Sequence, residues 1–292
     1  MIQDGDAVFG KKYGKTAKYT GSDGKRRKIM IYTELIPSHR LPESFDGMRV
    51  LHLSDLHAKQ FGKDNTALVR LCRRLSPDII CFTGDIFSRN ETLEAVLSKL
   101  PFMKSLCDIA PTYYIRGNHE NDADSIAEAF EQGMRKIGVN VLRNEMTAFT
   151  RNGESITICG IELPRSCYRR ENGSYRDLTP VSMDMMKELI GDAPEGCTLL
   201  LAHTPMPFET YAEWGADLTL SGHVHGGIIR LFGIGLLSPE RRFFPRYTKG
   251  VYSIKTDRAQ HFMEVSAGLG KFRINNPPSV TVCILARRND ND

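Results

Sequence analysis

Five times along this chain a short apolar run stops at a cluster of Asp, Asn, His and Gly. Residues 48–53 run into Ser54-Asp55-Leu56-His57, and residues 78–83 into Gly84-Asp85. Residues 112–115 lead to Gly117-Asn118-His119, and residues 198–202 deliver His203. Residues 218–221 run into Gly222-His223-Val224-His225-Gly226-Gly227. Such short apolar runs read as buried strands. Each cluster therefore lies just past the C-terminal end of a strand, which is where α/β sheets place their sites.

The remaining pattern fills in a fold around those strands. Residues 29–36 alternate as a strand ended by Pro37, and residues 65–75 carry Leu68, Leu71, Cys72 and Leu75 at helical spacing. A helix over 92–100 is expected to stop at Pro101, and another over 124–137 has Gly138 just beyond it. Residues 146–150 and 155–160 flank Asn152-Gly153, a hairpin signal. A polar loop (172–180), a helix (181–190) and strands at 250–255, 261–265 and 279–285 follow. The first half alternates strand and helix, and the second is richer in strands. The expected fold class is α/β, one domain with two mixed β-sheets packed face to face as a sandwich flanked by helices. Its expected limits are 29–286, with a basic, flexible arm at 1–28 and a polar tail at 287–292.

Composition narrows the class. The 292 residues would allow two domains, but no linker or repeat interrupts 29–286. Hydrophobic residues at 41% and charged residues at 25% exclude a mainly disordered chain. A net charge of +4 is too small to argue for nucleic acid. The basic excess gathers in the head, at Lys11, Lys12, Lys15, Lys18, Lys25, Arg26, Arg27 and Lys28. A solvated arm is the plain reading; peripheral contact with an anionic membrane is the sharper one. No apolar run reaches the roughly 20 residues that span a bilayer, and no secretory signal is expected. The 7 cysteines form no two-residue-gap motif. They point to a reducing compartment, so the expected location is cytoplasmic, with membrane contact peripheral.

The chemistry lies in the clusters taken together. Asp55 and His57 are two apart, as are His223 and His225, so each pair can point the same way at a strand end. A single Asp or Asn at a strand end is usually a turn residue, and His39, His52 and His261 read as packed or solvated. Five clusters in order, each after an apolar strand, call for another explanation. Imidazole with carboxylate and amide oxygen suits manganese, iron or zinc, and the lack of thiolate argues against a structural zinc site. Two such cations about 3.5–4 Å apart need a bridging anion, and they would make hydroxide available near neutral pH. The same charges would hold a phosphate in line with it.

Asp55-Leu56-His57, Gly84-Asp85, Gly117-Asn118-His119-Glu120, His203 and Gly222-His223-Val224-His225 resemble the five blocks of the calcineurin-like metallophosphoesterases. Ser54, Gly226-Gly227, Leu236-Leu237-Ser238-Pro239, Tyr247-Thr248-Lys249-Gly250, Gly268-Leu269-Gly270 and Asn276-Pro277-Pro278 are similar to the bacterial YkuE/YaeI-like branch. The resemblance implies the four-layer α-β-β-α fold of that family. It implies two divalent metal ions, manganese first, with iron, zinc or magnesium as alternatives. It assigns Asp55, His57 and His225 to one metal, Asn118, His203 and His223 to the other, and Asp85 to the bridge. His119 would face the substrate as the catalytic residue, stabilise the transition state and assist the leaving group as a general acid.

The expected function is a dinuclear metal-dependent phosphoesterase hydrolysing a phosphomonoester or phosphodiester by attack of the metal-bridging hydroxide. The alternatives are a non-catalytic metal-binding scaffold on the same fold, or a pyrophosphatase acting on a lipid-linked or nucleotide-linked diphosphate. Ile228 stands where that branch has Gln, and the stretch Lys271-Phe272-Arg273 is shorter than the branch leads one to expect. Arg116 and Arg230 read as ion-paired or exposed rather than phosphate-binding. Tyr168, Arg169 and Arg170 are candidates to touch a second substrate group, outside the catalytic set.

Overall fold

The structure is a computed structural model that describes residues 14–21, 25–231, 234–238, 243–270 and 273–288. Lys11, Lys12, Pro239, Lys271, Phe272 and residues 289–292 of the expected tail lie outside the described residues. The first half runs β1 (Lys15–Thr20), β2 (Arg26–Ser38), β3 (Arg49–Leu53), α1 (Thr66–Arg74), β4 (Ile79–Thr83), α2 (Leu93–Leu97), α3 (Leu100–Cys107), β5 (Thr112–Ile115), α4 (Asn118–Asn121), α5 (Asp124–Lys136) and β6 (Asn140–Val141). The second half runs β7 (Glu145–Arg151), β8 (Glu154–Ile161), α6 (Met183–Ile190), β9 (Thr198–Ala202), α7 (Phe208–Trp214), β10 (Leu218–Ser221), β11 (Ile229–Leu231), β12 (Ile234–Leu237), β13 (Gly250–Lys255), β14 (Gln260–Val265) and β15 (Ser279–Arg287).

The strands make two large mixed sheets, in the orders β1-β2-β15-β3-β4-β5-β6 and β13-β14-β10-β9-β8-β7, with β11-β12 a separate ribbon. Alternation along the strands explains the layers. Val50, Ile79, Cys81, Tyr113 and Ile115 share one core with Ile156, Ile158, Leu199, Leu201 and Leu220 of the other sheet. Their neighbours Leu51, Leu53, Ile80, Phe82 and Tyr114 pack with Leu68, Leu71, Phe102, Phe130 and Met134 of α1, α3 and α5. Leu200 and Ala202 pack instead with Met186, Ile190, Tyr211 and Trp214 of α6 and α7. The result is helix, sheet, sheet, helix, with each fully buried aliphatic side chain contributing about 1.5–3 kcal/mol.

Strands β3, β4 and β5 run parallel to one another, and so do β8, β9 and β10. The C-terminal ends of β3, β4, β5, β9 and β10 meet at one edge of the sandwich, bringing the five clusters into one crevice. Between the sheets, His52 of β3 contacts the Glu264 carboxylate of β14 and lies 2.8 Å from the Thr83 hydroxyl. Thr281 donates to Glu264 at 2.8 Å. That buried polar link accounts for His52, as bonds to the Ala216 carbonyl and Thr256 account for His261; His39 is exposed.

Four expectations need correction. The basic head is not simply a solvated arm: β1 pairs antiparallel with β2 from Lys15↔Ile31 to Thr20↔Arg26. Ala17 and Tyr19 give β1 an apolar face, and Tyr19 packs 5.0 Å from Phe61 between ring centres. Strand β2 continues through Pro37: among the described residues β1 pairs with it only as far as Ile31, so no ladder bond on that side calls for the missing N–H. Pro101 opens α3 rather than closing the helix before it, since a first-turn proline has no N–H bond to lose. The expected tail begins late, as Arg287 is still paired in β15.

Candidate metal centre

Five cage residues take a backbone conformation that L-residues avoid. Asp55, His57 and Asp85 have φ of 54°, 52° and 54°, and His223 and His225 have 69° and 53°. Each such residue costs on the order of 1 kcal/mol, so it persists only where its surroundings enforce it. Here they do. The Asp55 and His57 N–H groups donate to the carbonyls of Gly84 and Asp85, each at 3.0 Å. Gly222 N–H donates to the His203 carbonyl at 2.9 Å. His223 N–H donates to the Asp55 carboxylate at 3.1 Å, and His119 N–H to Asp85 Oδ1 at 2.9 Å. Gly84 and Gly117 let two loops touch: a Cβ on Gly84 would stand 2.3 Å from Gly117 N, and one on Gly117 2.3 Å from Asp85 Oδ1.

One buried residue to which the sequence assigns no role ties these loops. The Glu120 carboxylate accepts from the N–H groups of Asp85, Ile86 and Gly117, each at 2.8 Å. Burial and the Asp85 charge push its pKa up to about 8, against the pull of those backbone donors. An acid three residues after a glycine that starts a helix is a capping-box spacing, and that signal could have found it. Asn276 plays a similar part behind His225, donating to the Gly227 carbonyl at 3.0 Å and contacting that of His225.

All seven expected ligands converge. One ligand atom each from buried Asp55, His57, Asp85 and His225 lies within 4.8 Å of the others. Asp85 Oδ2 stands 3.7 Å from His57 Nε2 and 3.5 Å from His203 Nε2. Asn118 Oδ1 is 3.3 Å from His203 Nε2 and 2.8 Å from His223 Nδ1. Asp85 is thus the residue common to both groups. His203 Nδ1 points at the Thr83 carbonyl, 2.6 Å away, so Nδ1 carries a hydrogen and Nε2 is the atom turned into the cage. Neutral imidazole, carboxylate and amide oxygens in a buried cluster without thiolate fit hard or borderline divalent cations.

Without a cation, the cage's own imidazoles supply the positive charge that its carboxylates attract. Burial alone would raise the Asp85 carboxyl, but His203, His119 and His57 hold it well below the usual carboxylate range. Burial raises Asp55, and the Asp85 charge adds to it. Burial opposes charging of His203, yet Asp85 and Asp55 carry it up to about 9. A cage with two buried carboxylates this close attracts positive charge.

His119 reaches the same place, its Nε2 3.9 Å from Asp85 Oδ2 and its ring 4.7 Å from that of His57. Arg116 does not: it is buried, holding Glu131 at 3.1 Å and Asp124 at 2.6 Å. Arg230 bonds the Gly226 carbonyl, and Arg170 turns back to the Arg176 carbonyl at 3.2 Å. Ile228 takes part through its backbone, donating to Leu237 at 2.7 Å. Arg273, partly buried, braces the turn beside Asp55 through the Gly270 carbonyl at 2.6 Å. Tyr168 is buried, with its ring 5.4 Å from that of His223, and Arg169 lines the crevice.

Comparison with known proteins gives the same reading. A transmembrane protein with metallophosphoesterase domain from Bos taurus is 28% identical over 272 residues, covering 87% of this chain and 56% of the relative. The chain thus spans little more than half of that protein. The uncharacterized metallophosphoesterase YkuE of Bacillus subtilis is 26% identical over 262 residues, covering 87% of this chain and 84% of the relative. The UDP-2,3-diacylglucosamine pyrophosphatase LpxG of Chlamydia muridarum is 23% identical over 293 residues, covering 83% and 86%. Among the described residues no helix is long and apolar enough to cross a membrane. The calcineurin-like phosphoesterase model matches residues 48–227, from the start of β3 to the glycines after His225. That span takes in every strand-end cluster, and the chain belongs to the calcineurin-like phosphoesterases.

Proposed function

We propose that the protein hydrolyses a phosphomonoester or phosphodiester at a dinuclear centre. Asp55, His57 and His225 would hold one cation, Asn118, His203 and His223 would hold the other, and Asp85 would serve both. The observation that carries this is the position of Asp85, within 3.5–3.7 Å of one imidazole from each group. Two divalent ions, manganese first, supply Lewis-acid charge for the phosphoryl oxygens and the attacking water. Water oxygen bonds to phosphorus as the bond to the leaving oxygen breaks. His119 is set to assist that departure. Arg89 N–H donates to His119 Nδ1 at 3.0 Å, which places the ring's hydrogen on Nε2, facing the crevice. Nε2–H then donates to the leaving oxygen as negative charge builds there.

The test is hydrolysis of bis-p-nitrophenyl phosphate with added manganese, by wild type and Asp85→Asn. Metal-dependent activity that falls at least about a hundredfold in the variant is expected. Equal activity in both proteins would contradict the reading. A non-catalytic scaffold would show no such activity and would keep its function without metal.

A second reading concerns the substrate. A cavity of about 480 Å³ opens beside His223 and Tyr168, walled by Val181, Met206, Pro207, Phe243 and Phe244. Phe243 and Phe244 are 76% and 68% exposed. Such a wall suits an alkyl or acyl chain, and favours a lipid-linked diphosphate of the kind named for the Chlamydia relative. Lys18 and Lys28 sit directly opposite each other on β1 and β2, a like-charge pair that an anionic surface would relieve. Sedimentation with anionic vesicles should weaken in Lys18→Glu/Lys28→Glu, and unchanged binding would remove the basic segment from the account. All seven cysteines are free thiols, as a reducing, cytoplasmic setting allows.

A further inference from the structure

We propose that Arg89, Arg165 and Arg169 form a second anion site beside the cage, so that the preferred substrate carries another negatively charged group close to the phosphate that is cut. This deepens the hydrolase reading above and rests on it.

The three arginines come from two separate loops, one after β4 and one after β8, and converge on a single carboxylate. Arg89 Nη1 lies 3.0 Å from Asp122 Oδ2, Arg165 Nε 2.9 Å from Oδ1, and Arg169 Nη2 3.3 Å from Oδ2. One negative charge faces three positive ones, leaving a surplus of two. Among the described residues these guanidinium groups meet no other carboxylate. Solvated arginines would move apart. These are held together: Arg169 N–H bonds the Arg165 carbonyl at 2.9 Å, and Tyr168 between them is buried. Arg89 and Arg169 side chains are only 28% and 23% exposed.

The cluster opens onto the reaction site. All three arginines line the cavity, of about 100 Å³, that also holds Asp85, His119 and His223. Arg89 also ties the cluster to His119. With Nδ1 accepting from Arg89 N–H, Nε2 is a donor, and Arg89 Nη2 stands only 3.4 Å from it. Guanidinium forks match phosphate and carboxylate alike, so either would fit.

The experiment compares wild type with Arg165→Gln/Arg169→Gln, both manganese-loaded, by calorimetry in excess manganese. The probes are methylphosphonate, methylenediphosphonate and phosphonoacetate, none of which has a phosphoester to cleave. Wild type should bind methylenediphosphonate at least about tenfold more tightly than methylphosphonate, and the variant should lose most of that gap. Phosphonoacetate tells whether a carboxylate serves as well as a second phosphate. If the double variant misfolds, Arg89→Gln, on the other loop, should narrow the same gap. The same gap in wild type and variant, or no gap in wild type, overturns the proposal. Wild-type hydrolysis of bis-p-nitrophenyl phosphate is followed in parallel. Its absence would end the hydrolase reading, while the calorimetric gap still decides whether the second anion site exists.

Discussion

The metal cage and the arginine collar lie side by side and are built on opposite terms. In the cage six of the seven proposed ligands are buried and Asn118 is half-buried, and five residues keep a costly backbone conformation. Its loops are strapped by backbone bonds, and glycines allow them to touch. In the collar the side chains are partly exposed, with Arg165 at 52%, and are held mainly by charge. The difference separates two tasks. Geometry that must position reacting atoms is fixed by backbone, whereas recognition of a substrate's other parts is left to side chains that can adjust.

Breaking the cage should have the largest effect. Asp85→Asn removes the shared charge, and turnover of bis-p-nitrophenyl phosphate should fall about a hundredfold or more in a steady-state assay. Gly117→Ala comes next, since its Cβ would meet both Asp85 Oδ1 at 2.3 Å and Asp85 N at 2.6 Å. Overpacking of about 1–3 kcal/mol is expected in chemical denaturation, together with lost metal in elemental analysis. Glu120→Gln sets an amide N–H₂ against backbone donors, at about 1–3 kcal/mol. Metal affinity measured with a chelator should drop about tenfold to a hundredfold. The collar sits at the small end. Arg165→Gln/Arg169→Gln should shift the preference between methylenediphosphonate and methylphosphonate about tenfold, with little change in melting temperature. If Glu120→Gln proved milder than the collar variant in chelator titration, the contrast drawn here would fail.

What sequence makes legible follows the same division. The cage is written locally: each proposed ligand sits within a few residues of an apolar strand end, so Asp55, His57, Asp85, Asn118, His203, His223 and His225 stand out in the sequence, and they converge in the fold. Glu120 does not stand out, because its bonds to Asp85 and Ile86 cross to a loop 35 and 34 residues away. Arg116 is ion-paired as expected, but its partner Glu131, 15 residues on, is not legible from sequence. The collar was visible only as Arg169, since Arg89 and Arg165 gain meaning from Asp122, which no spacing connects to them. Pro101 shows a local limit: the same residue can stop one helix or open the next, and packing of Phe102 and Leu106 decides. The basic head misled because its lysines outnumber the two side chains, Ala17 and Tyr19, that seat β1.

The most direct measurement is anomalous X-ray scattering from manganese-loaded crystals of the protein. Two peaks about 3.5–4 Å apart, one on each side of the Asp85 carboxylate, are predicted. A single peak, or manganese bound away from Asp85 in protein that still hydrolyses bis-p-nitrophenyl phosphate, would contradict the account.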